Sequence, residues 1–307
     1  MKIAVTGGAG FIGSNLVKKL LELDHEVIVI DDLSTGLASN LENLNCNFHN
    51  ISIVDSTKLY KCISLCEVIF HFAARGSVPR SILDPVAAFQ INSIGTLNIL
   101  EIARNTGAHI IFSSSSSVYG LNTSIPKVES TWTSPLSPYG ASKLSAEALL
   151  SAYANSYNIP VTNLRFFNVY GPFQRPDHLY SAVIPKWIWQ ALHGEPIEIF
   201  GDGEQTRDFT FVETVVDVAT TSLSKVAASG QVINLAYGSQ VSLNEIKIKL
   251  QEKFPNLAYT HLPRRVADVE HSQNKPDRLI KFFPDIKPIN FSIGFEKTFD
   301  WLKSKKS

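Results

Sequence analysis

The sequence predicts an α/β fold in which helices cover both faces of a parallel sheet. Short apolar runs rich in β-branched residues, such as Lys2–Val5, alternate with segments whose apolar residues recur at helical spacing, such as Ser14–Leu21. A glycine-rich turn, Thr6–Gly13, joins this first strand to this first helix. Strands that alternate with helices imply right-handed crossovers and one doubly wound parallel sheet, the Rossmann arrangement.

The turn at Thr6–Gly13 has the context of a dinucleotide site, because a second strand, Glu26–Ile30, follows the helix and ends at Asp31. Glycines let the backbone turn tightly and approach a pyrophosphate, and the helix start offers free N–H groups and the positive end of its dipole. Asp31 would accept hydrogen bonds from the adenosine ribose and repel a 2′-phosphate, so we predict NAD rather than NADP. The alternative is that the glycines only make a tight turn.

Further strands and helices follow in the same alternation. The strands are short and apolar, and the helices carry apolar residues on one face. Leu33–Gly36 is a loop that could lie over the adenine ribose, and Asp55 is a predicted helix N-cap. The predicted strands are Asn47–Ile51, Glu67–Ala74, Ile110–Phe112 (which runs into the serines Ser113–Ser117) and Val161–Phe166, and the predicted helices are Thr57–Leu65, Pro85–Arg104 and Tyr139–Tyr157.

The pattern changes after Val169–Pro172, where loops carrying Pro, Gly, Arg and Asp alternate with shorter helices at Ser181–His193 and Glu213–Lys225. Val232–Leu235 is apolar and predicts a strand that returns to the sheet. We therefore predict a smaller, discontinuous substrate-binding lobe. The boundaries are 1–169 for the Rossmann domain, with 208–237 returning to it, and 170–207 with 238–307 for the lobe.

Composition limits the class of protein. The 307 residues are 44% hydrophobic and balance 28 Lys and Arg against 28 Asp and Glu, so neither a nucleic-acid surface nor a polybasic membrane patch is indicated. No apolar run is long enough to span a bilayer and no signal peptide is apparent, so we expect a cytoplasmic protein. Cys46, Cys62 and Cys66 lack histidine partners at metal spacing, and we expect free thiols and no metal site.

Tyr139 and Lys143 are the candidate acid–base pair. Four residues apart, they share one face of a predicted helix. At about 4 Å and an effective dielectric of about 20, an ammonium stabilises a phenolate by roughly 4 kcal/mol, about three pKa units. That shift would bring the phenol to near neutrality, where a general base operates. A serine hydroxyl from the end of the preceding strand could complete the relay.

Several motifs together resemble the NAD-dependent sugar epimerase/dehydratase family of extended short-chain dehydrogenases/reductases. The resemblance covers nearly the whole chain. It implies that Tyr139 is the catalytic base, that Lys143 is its partner and anchors the NAD ribose, and that Ser115 is the catalytic hydroxyl. The motifs are Thr6–Gly13, His71–Ala74, Asn92–Thr96, Phe112–Gly120, Ser137–Lys143, Arg165–Pro172 and Gly201–Val212.

The resemblance also implies contacts with the cofactor and with a UDP-sugar. One departure concerns the adenine contact, since the family commonly has Asp-Ile where this chain has Ser52-Ile53. Arg207 and Arg265 would clamp the diphosphate, a task that suits a planar guanidinium. The implied cofactor contacts are Gly7, Gly10, Phe11, Ile12, Gly13, Asp31, Asp32, Ser34, Thr35, Gly36, Ser52, Ile53, Phe72, Ala73, Ala74, Asn92, Tyr139 and Lys143. The implied substrate contacts are Ser77, Ser115, Ser116, Asn168, Val183, Phe200, Arg207, Arg265 and Ser272.

The reaction implied is a 4-epimerisation through a transient 4-keto sugar. Dehydratases of the family carry Asp-Glu where this chain has Ser116-Ser117, and decarboxylases usually keep the glutamate. Gly76–Ser81 and Ala182–Trp187 resemble the branch of the family that acts on UDP-N-acetylhexosamines, and Ser272 matches the position where a bulky tyrosine excludes the N-acetyl group in some epimerases. The resemblance therefore implies UDP-GlcNAc/UDP-GalNAc, with UDP-Glc/UDP-Gal also possible. Alternatives are a UDP-glucuronate 4-epimerase, which the serine run also resembles, a nucleotide-sugar reductase or dehydrogenase, and a non-catalytic NAD-binding module.

The resemblance further suggests a homodimer. In relatives, the helices corresponding to Pro85–Arg104 and Tyr139–Tyr157 commonly form a four-helix bundle between subunits. The alternative is that these helices pack only within one chain.

Overall fold

The computed structural model describes residues 1–177, 181–224, 231–264 and 270–306. Its centre is a seven-stranded parallel sheet with the order β3-β2-β1-β4-β5-β6-β11. This order is that of a Rossmann sheet, as predicted. The strands are β1 Lys2–Thr6, β2 Glu26–Asp31, β3 Asn47–Asn50, β4 Val68–His71, β5 His109–Ser115, β6 Val161–Phe166, β7 Asn168–Tyr170, β8 Ile197–Phe200, β9 Thr206–Arg207, β10 Phe209–Phe211, β11 Val232–Leu235, β12 Val241–Ser242 and β13 Tyr259–Leu262.

Helices cover both faces of this sheet. Successive strand residues point to opposite faces, so Ile3 and Val5 pack with α1 and α8, whereas Ala4 packs with the layer of α2, α5 and α6. The helices are α1 Phe11–Glu22, α2 Ser56–Ile63, α3 Val78–Leu83, α4 Pro85–Phe89, α5 Gly95–Thr106, α6 Pro138–Tyr157, α7 Val183–Leu192, α8 Val212–Thr221, α9 Leu243–Lys253, α10 Asp277–Phe282 and α11 Phe291–Ser304.

Strand β11 is the returning strand that the sequence predicts. It pairs in parallel with β6, so the chain comes back to the sheet after its excursion. The remaining strands form small pairs, β7 with β10, β8 with β13 and β9 with β12. The bounds of the two lobes themselves stay a prediction.

Ser113–Ser115 form the end of β5, where they pair with β6, as the serine run at the end of the predicted strand suggests. Two local predictions need correction. The helix predicted at Glu213–Lys225 is α8, which ends at Thr221, while Lys225 lies outside the described residues. The helix predicted at Pro85–Arg104 is divided, since a π-helical segment, Gln90–Ile94, joins α4 to α5.

The helical stretch Pro85–Thr106 also meets a membrane-span criterion that the sequence analysis did not anticipate. Its 22 residues have a mean hydropathy of 1.2 in the best window, enough by length and composition alone to cross a membrane. Half of that window is buried within this structure, and core helices of soluble proteins meet the same criterion.

Candidate active site

The glycine turn between β1 and α1 brings two backbone segments into close approach. Gly7 has φ +72°, and a Cβ placed there would lie 2.7 Å from the backbone nitrogen of Ala73. A Cβ on Gly13 would collide with the carbonyl oxygen of Gly7. Only glycine fits at either position, so the first turn of α1 lies close against β1 and the turn after β4. This cradle fits the pyrophosphate of a dinucleotide.

Asp31 shapes the far side of this turn. Its Oδ2 accepts from the backbone N–H of Ala9 at 3.0 Å, and its Oδ1 from that of Leu33 at 2.9 Å. Burial raises the pKa of this carboxyl, and the backbone donors oppose that rise. Each oxygen keeps a further lone pair, so the ribose contact predicted for Asp31 remains available at the cleft that it lines.

One cleft of about 680 Å³ extends from the glycine turn to Tyr139 and Lys143. The volume is in the usual range for a small-molecule site. Most of the residues expected to contact the cofactor line it, together with the catalytic candidates. These are Gly7, Gly10, Phe11, Ile12, Gly13, Asp31, Asp32, Ser34, Thr35, Ile53, Phe72, Ala73, Ala74, Ser115, Tyr139 and Lys143.

Helix α6 presents the acid–base pair to this cleft. Its N-cap is Ser137, whose hydroxyl accepts from the N–H of Gly140 at 3.1 Å. The N–H of Tyr139 donates to the hydroxyl of Ser81 at 3.0 Å, which ties the first turn of α6 to α3. One turn later the buried Lys143 donates from Nζ to the carbonyl of Ser113 at 2.7 Å. The strand end of β5 and the start of α6 are thereby held together.

Burial dominates the electrostatics of Tyr139 and Lys143. It raises the pKa of the Tyr139 phenol, although a hydrogen bond from Ser115 opposes this effect. It lowers the pKa of Lys143 to about 7, although Glu147 opposes that change. The expectation that Lys143 brings the phenol to near neutrality is therefore wrong for this structure. The desolvation of the phenol outweighs the stabilisation of its anion.

Two buried side chains behind the cleft were not recognised from sequence as a unit. His71 on β4 bonds through Nδ1 to Thr6 Oγ1 at 2.8 Å and through Nε2 to Thr96 Oγ1 at 2.9 Å. Burial lowers the pKa of His71 to about 3, so the ring is neutral. Asn92 accepts from the N–H of Arg75 at 2.8 Å and donates to Ser142 Oγ at 2.9 Å. Both side chains hold the turn after β4 in place.

A second cavity of about 400 Å³ adjoins the cleft, and Phe167 and Val169 line both. Asn168, Val183, Phe200 and Arg207 line this cavity, as does the buried Gln205. Four of the residues expected to contact the substrate thus lie together, next to the acid–base pair. Because a planar guanidinium and an amide are suited to phosphate oxygens, this cavity fits a nucleoside diphosphate.

Other predicted contact residues lie off both cavities. Ser77 caps α3, and its hydroxyl accepts from the N–H of Arg80 at 3.4 Å. Ser272 bonds through its backbone N–H to Thr206 at 3.2 Å. Arg265 lies outside the described residues. The other predicted residues absent from both linings are Gly36, Ser52, Asn92 and Ser116. Residues that line the cleft but were not predicted as contacts include Arg75, Arg80 and Gln174. Arg75 belongs to the turn after β4 and Arg80 to the motif Gly76–Ser81, so both lie in segments with a sequence signal.

Comparison with known proteins places the chain in a family. The model of the NAD dependent epimerase/dehydratase family matches residues 3–236. A UDP-glucose 4-epimerase of Mycolicibacterium smegmatis is 35% identical over 314 residues, which cover 99% of each chain. Two solved structures are also similar over almost the full length.

The first is a UDP-glucose 4-epimerase of Thermotoga maritima with UDP-glucose, with a TM-score of 0.94, 35% identity and coverage of 100% of both chains. The second is a UDP-N-acetylglucosamine 4-epimerase of Methanobrevibacter ruminantium M1 in complex with UDP-N-acetylmuramic acid, with a TM-score of 0.93, 35% identity and coverage of 99% of this chain and 98% of the other. Fold, glycine cradle and sequence similarity agree, and the chain is therefore an enzyme that belongs to the NAD dependent epimerase/dehydratase family, with NAD as its cofactor.

Proposed function

We propose that the protein is a UDP-hexose 4-epimerase. The observation that carries the proposal is the position of Ser115, Tyr139 and Lys143 on the same cleft as the glycine turn, beside a cavity that contains Asn168 and Arg207. A nucleoside diphosphate in that cavity would direct its sugar toward the phenol. The family and the similar proteins support an epimerase, and the sugar is our inference.

Tyr139, Ser115 and Lys143 have different roles in the reaction at C4 of the sugar. Tyr139 takes the proton of the C4 hydroxyl and returns it to the keto oxygen at the end of the cycle. Ser115 bonds that oxygen and the phenol, so both stay aligned. Lys143 stabilises the phenolate with its positive charge. NAD, when bound, supplies the reversible hydride chemistry at C4, so no net oxidation occurs.

Inversion requires that the sugar present its other face before hydride returns. The diphosphate must therefore stay fixed while the sugar turns. Arg207 and Asn168 would hold it, and Arg265 is proposed to assist them. The sugar would have few contacts of its own, which permits the rotation.

We propose UDP-GlcNAc and UDP-GalNAc as the substrates, with UDP-Glc and UDP-Gal as further ones. The support is the similarity to a UDP-N-acetylglucosamine 4-epimerase of Methanobrevibacter ruminantium M1. Ser272, the small residue that the resemblance assigns to the N-acetyl group, lies off both cavities and adds no support from the structure. A UDP-glucuronate 4-epimerase is the second candidate, because the serine run at the end of β5 resembles that branch of the family and a UDP-glucuronic acid 4-epimerase of Bacillus cereus is 32% identical to this chain.

The test is an NMR product assay with purified protein and UDP-GlcNAc, UDP-Glc and UDP-GlcA in separate reactions. We expect UDP-GalNAc from UDP-GlcNAc, with no added reductant and no change in the absorbance of reduced nicotinamide. Net reduction of NAD would instead indicate a dehydrogenase. If no UDP-hexose is converted, the proposed function is wrong.

We also propose that the active form is a cytoplasmic homodimer that pairs through helices α3 to α6. The support is a line of exposed apolar side chains, with Leu83 at 74%, Val86 at 72% and Ile82 at 62% exposure. A shallow apolar groove runs along Pro85–Ile94 beside them. A second copy of the chain would cover these exposed apolar side chains, since contiguous apolar surface marks interaction sites. We further propose that each chain has two lobes. Residues 1–169 and 208–237 form the Rossmann lobe, and residues 170–207 and 238–307 form the substrate-binding lobe.

A further inference from the structure

A buried ion pair lies one helical turn beyond Lys143. Arg165 on β6 donates from Nε to Oε1 of Glu147 at 2.8 Å and from Nη2 to Oε2 at 2.6 Å. The side chains are only 6% and 5% exposed. The hydroxyl of Ser114 also donates to Oε1. Glu147 is therefore held on both oxygens in one orientation.

Stability alone does not account for this pair. Removing two charges from water is costly, and apolar side chains of similar size often stabilise a core as well or better. The orientation of Arg165 is nevertheless specified further, because its Nη1 donates to Tyr119 Oη at 2.9 Å, which in turn donates to Asn234 at 2.8 Å. The Glu147 carboxylate, held in one orientation, can also stabilise a positive charge on a second neighbouring side chain.

That neighbour is Lys143. Glu147 follows it by four residues on the same face of α6, where side chains of adjacent turns lie together. Within the described residues, Glu147 on α6 and His71 on β4 interact electrostatically with the ammonium, and the charged Arg165 on β6 is bonded to Glu147. His71 is neutral and Tyr139 is a phenol at rest. Glu147 is the anion among them, and its attraction opposes the loss of the Lys143 proton.

We infer that Glu147 is the counter-ion of Lys143, a positioning residue that keeps the ammonium charged, and that Arg165 holds its carboxylate in place. The inference rests on the proposed function, in which Lys143 supports the phenolate of Tyr139. Three consecutive residues of β5 connect to this one helix. Ser113 accepts from Lys143, the hydroxyl of Ser114 donates to Glu147, and that of Ser115 bonds Tyr139.

Glu147 affects catalysis because Lys143 and Tyr139 together can adopt two states that hold the same number of protons. In one, Lys143 is an ammonium and Tyr139 a phenolate, and the base is present. In the other, Lys143 is a neutral amine and Tyr139 a phenol, and the base is absent. Glu147 favours the first state because its charge attracts the ammonium. Its removal shifts the pair toward the inactive state without changing the cavity that contains Arg207.

The first measurement is the titration of Lys143 by NMR in protein labelled with 13C at the lysine Cε, without substrate. The signal is assigned by its loss in Lys143→Met. In Glu147→Gln we expect the titration midpoint to fall by roughly one pH unit or more. We also expect kcat for the UDP-hexose to fall by on the order of tenfold near neutral pH, with KM almost unchanged. Glu213→Gln, on α8 and outside the proposed dimer interface, is the control, and both quantities should stay at the wild-type values.

A double variant separates this role from stability. Glu147→Gln leaves Arg165 buried without its anion and will destabilise the fold. Glu147→Gln with Arg165→Met removes both charges, so we expect it to regain thermal stability while the Lys143 midpoint stays low. A wild-type midpoint in either folded variant would overturn the inference. Failure of the wild-type enzyme to convert any UDP-hexose would instead overturn the proposed function, and the Lys143 titration would still decide the role of Glu147.

Discussion

Tyr139 lies in surroundings that oppose its ionisation until a ligand changes them. Burial raises the pKa of its phenol, while the Ser115 hydroxyl favours the anion. In the proposed mechanism a charged Lys143 also favours the anion. A positively charged nicotinamide ring would act in the same direction as Lys143. We therefore expect the phenol to act as a base only when NAD and the UDP-sugar are bound.

Replacing this phenol tests its part in the reaction. In Tyr139→Phe we expect kcat to fall by roughly a thousandfold, because acid–base catalysis is lost, while NAD stays bound through the glycine turn. Turnover and the NAD released on denaturation measure the two effects. Tyr157→Phe, an exposed tyrosine on the same helix, should behave as the wild type. A fully active Tyr139→Phe would contradict the assignment of the base.

A second prediction at this scale concerns the buried His109, which bonds Thr162 at 2.9 Å. Burial lowers the pKa of His109 to about 4, from the ordinary histidine value of 6.5. The unfolded chain therefore binds its proton first as the pH falls, and stability is lost progressively below about pH 6.5. Between about pH 7 and about pH 4.5, the wild type should lose about 2 kcal/mol of unfolding free energy relative to His109→Asn.

Urea unfolding of both proteins at a series of pH values measures this difference. Contributions from other titrating groups, including Asp208, whose pKa burial raises to about 6, cancel in the comparison. A difference that does not change with pH would contradict a neutral, buried His109.

At the scale of elements, the turn between β1 and α1 depends on two glycines for different reasons. Gly7 needs its positive φ and lies against Ala73, whereas Gly13 must leave room for the carbonyl of Gly7. Sequence predicted this turn because glycine is required by the local backbone path. The contact partner Ala73, 66 residues further along, follows only from the pairing of β1 with β4.

Gly7→Ala should weaken NAD binding by about tenfold or more, since the side chain both strains the left-handed backbone and collides with Ala73. Isothermal titration with NAD measures the affinity. Gly194→Ala is a matched control, because Gly194 also has a positive φ of +71° but no atom within 4 Å of the added carbon. Equal losses of affinity in both variants would exclude a specific role for the turn.

The end of β5 and the stretch Pro85–Thr106 show where local patterns are insufficient. Ser113–Ser115 continue β5 beyond its apolar run, because pairing with β6 keeps them in the strand. The π-helical segment Gln90–Ile94 interrupts a helix whose apolar pattern is continuous. Within it Asn92 bonds Arg75 and Ser142, contacts that no spacing of residues reveals.

At the scale of the whole molecule, the exposed apolar surface of α3 and α4 predicts association. Val86→Glu places a charge at the centre of the proposed interface, and we expect it to convert a dimer to a monomer in sedimentation velocity experiments. Ile293→Glu on α11 is the control, because Ile293 is 56% exposed on another surface. A wild-type protein that is already monomeric would contradict the proposed dimer.

The sequence by itself determined the order of strands and helices and the glycine turn with Asp31, and it predicted Tyr139 and Lys143 as the acid–base residues. These depend on periodicity, on the backbone freedom of glycine and on motifs of neighbouring residues. The tertiary structure decided which side chains come together from distant segments of the chain. These are Glu147 with Arg165, His71 with Thr6 and Thr96, and Asn168 with Arg207 in one cavity. It also determined that the pKa of Tyr139 is raised rather than lowered. Burial and long-range contacts set these properties, and both arise only when distant segments pack together.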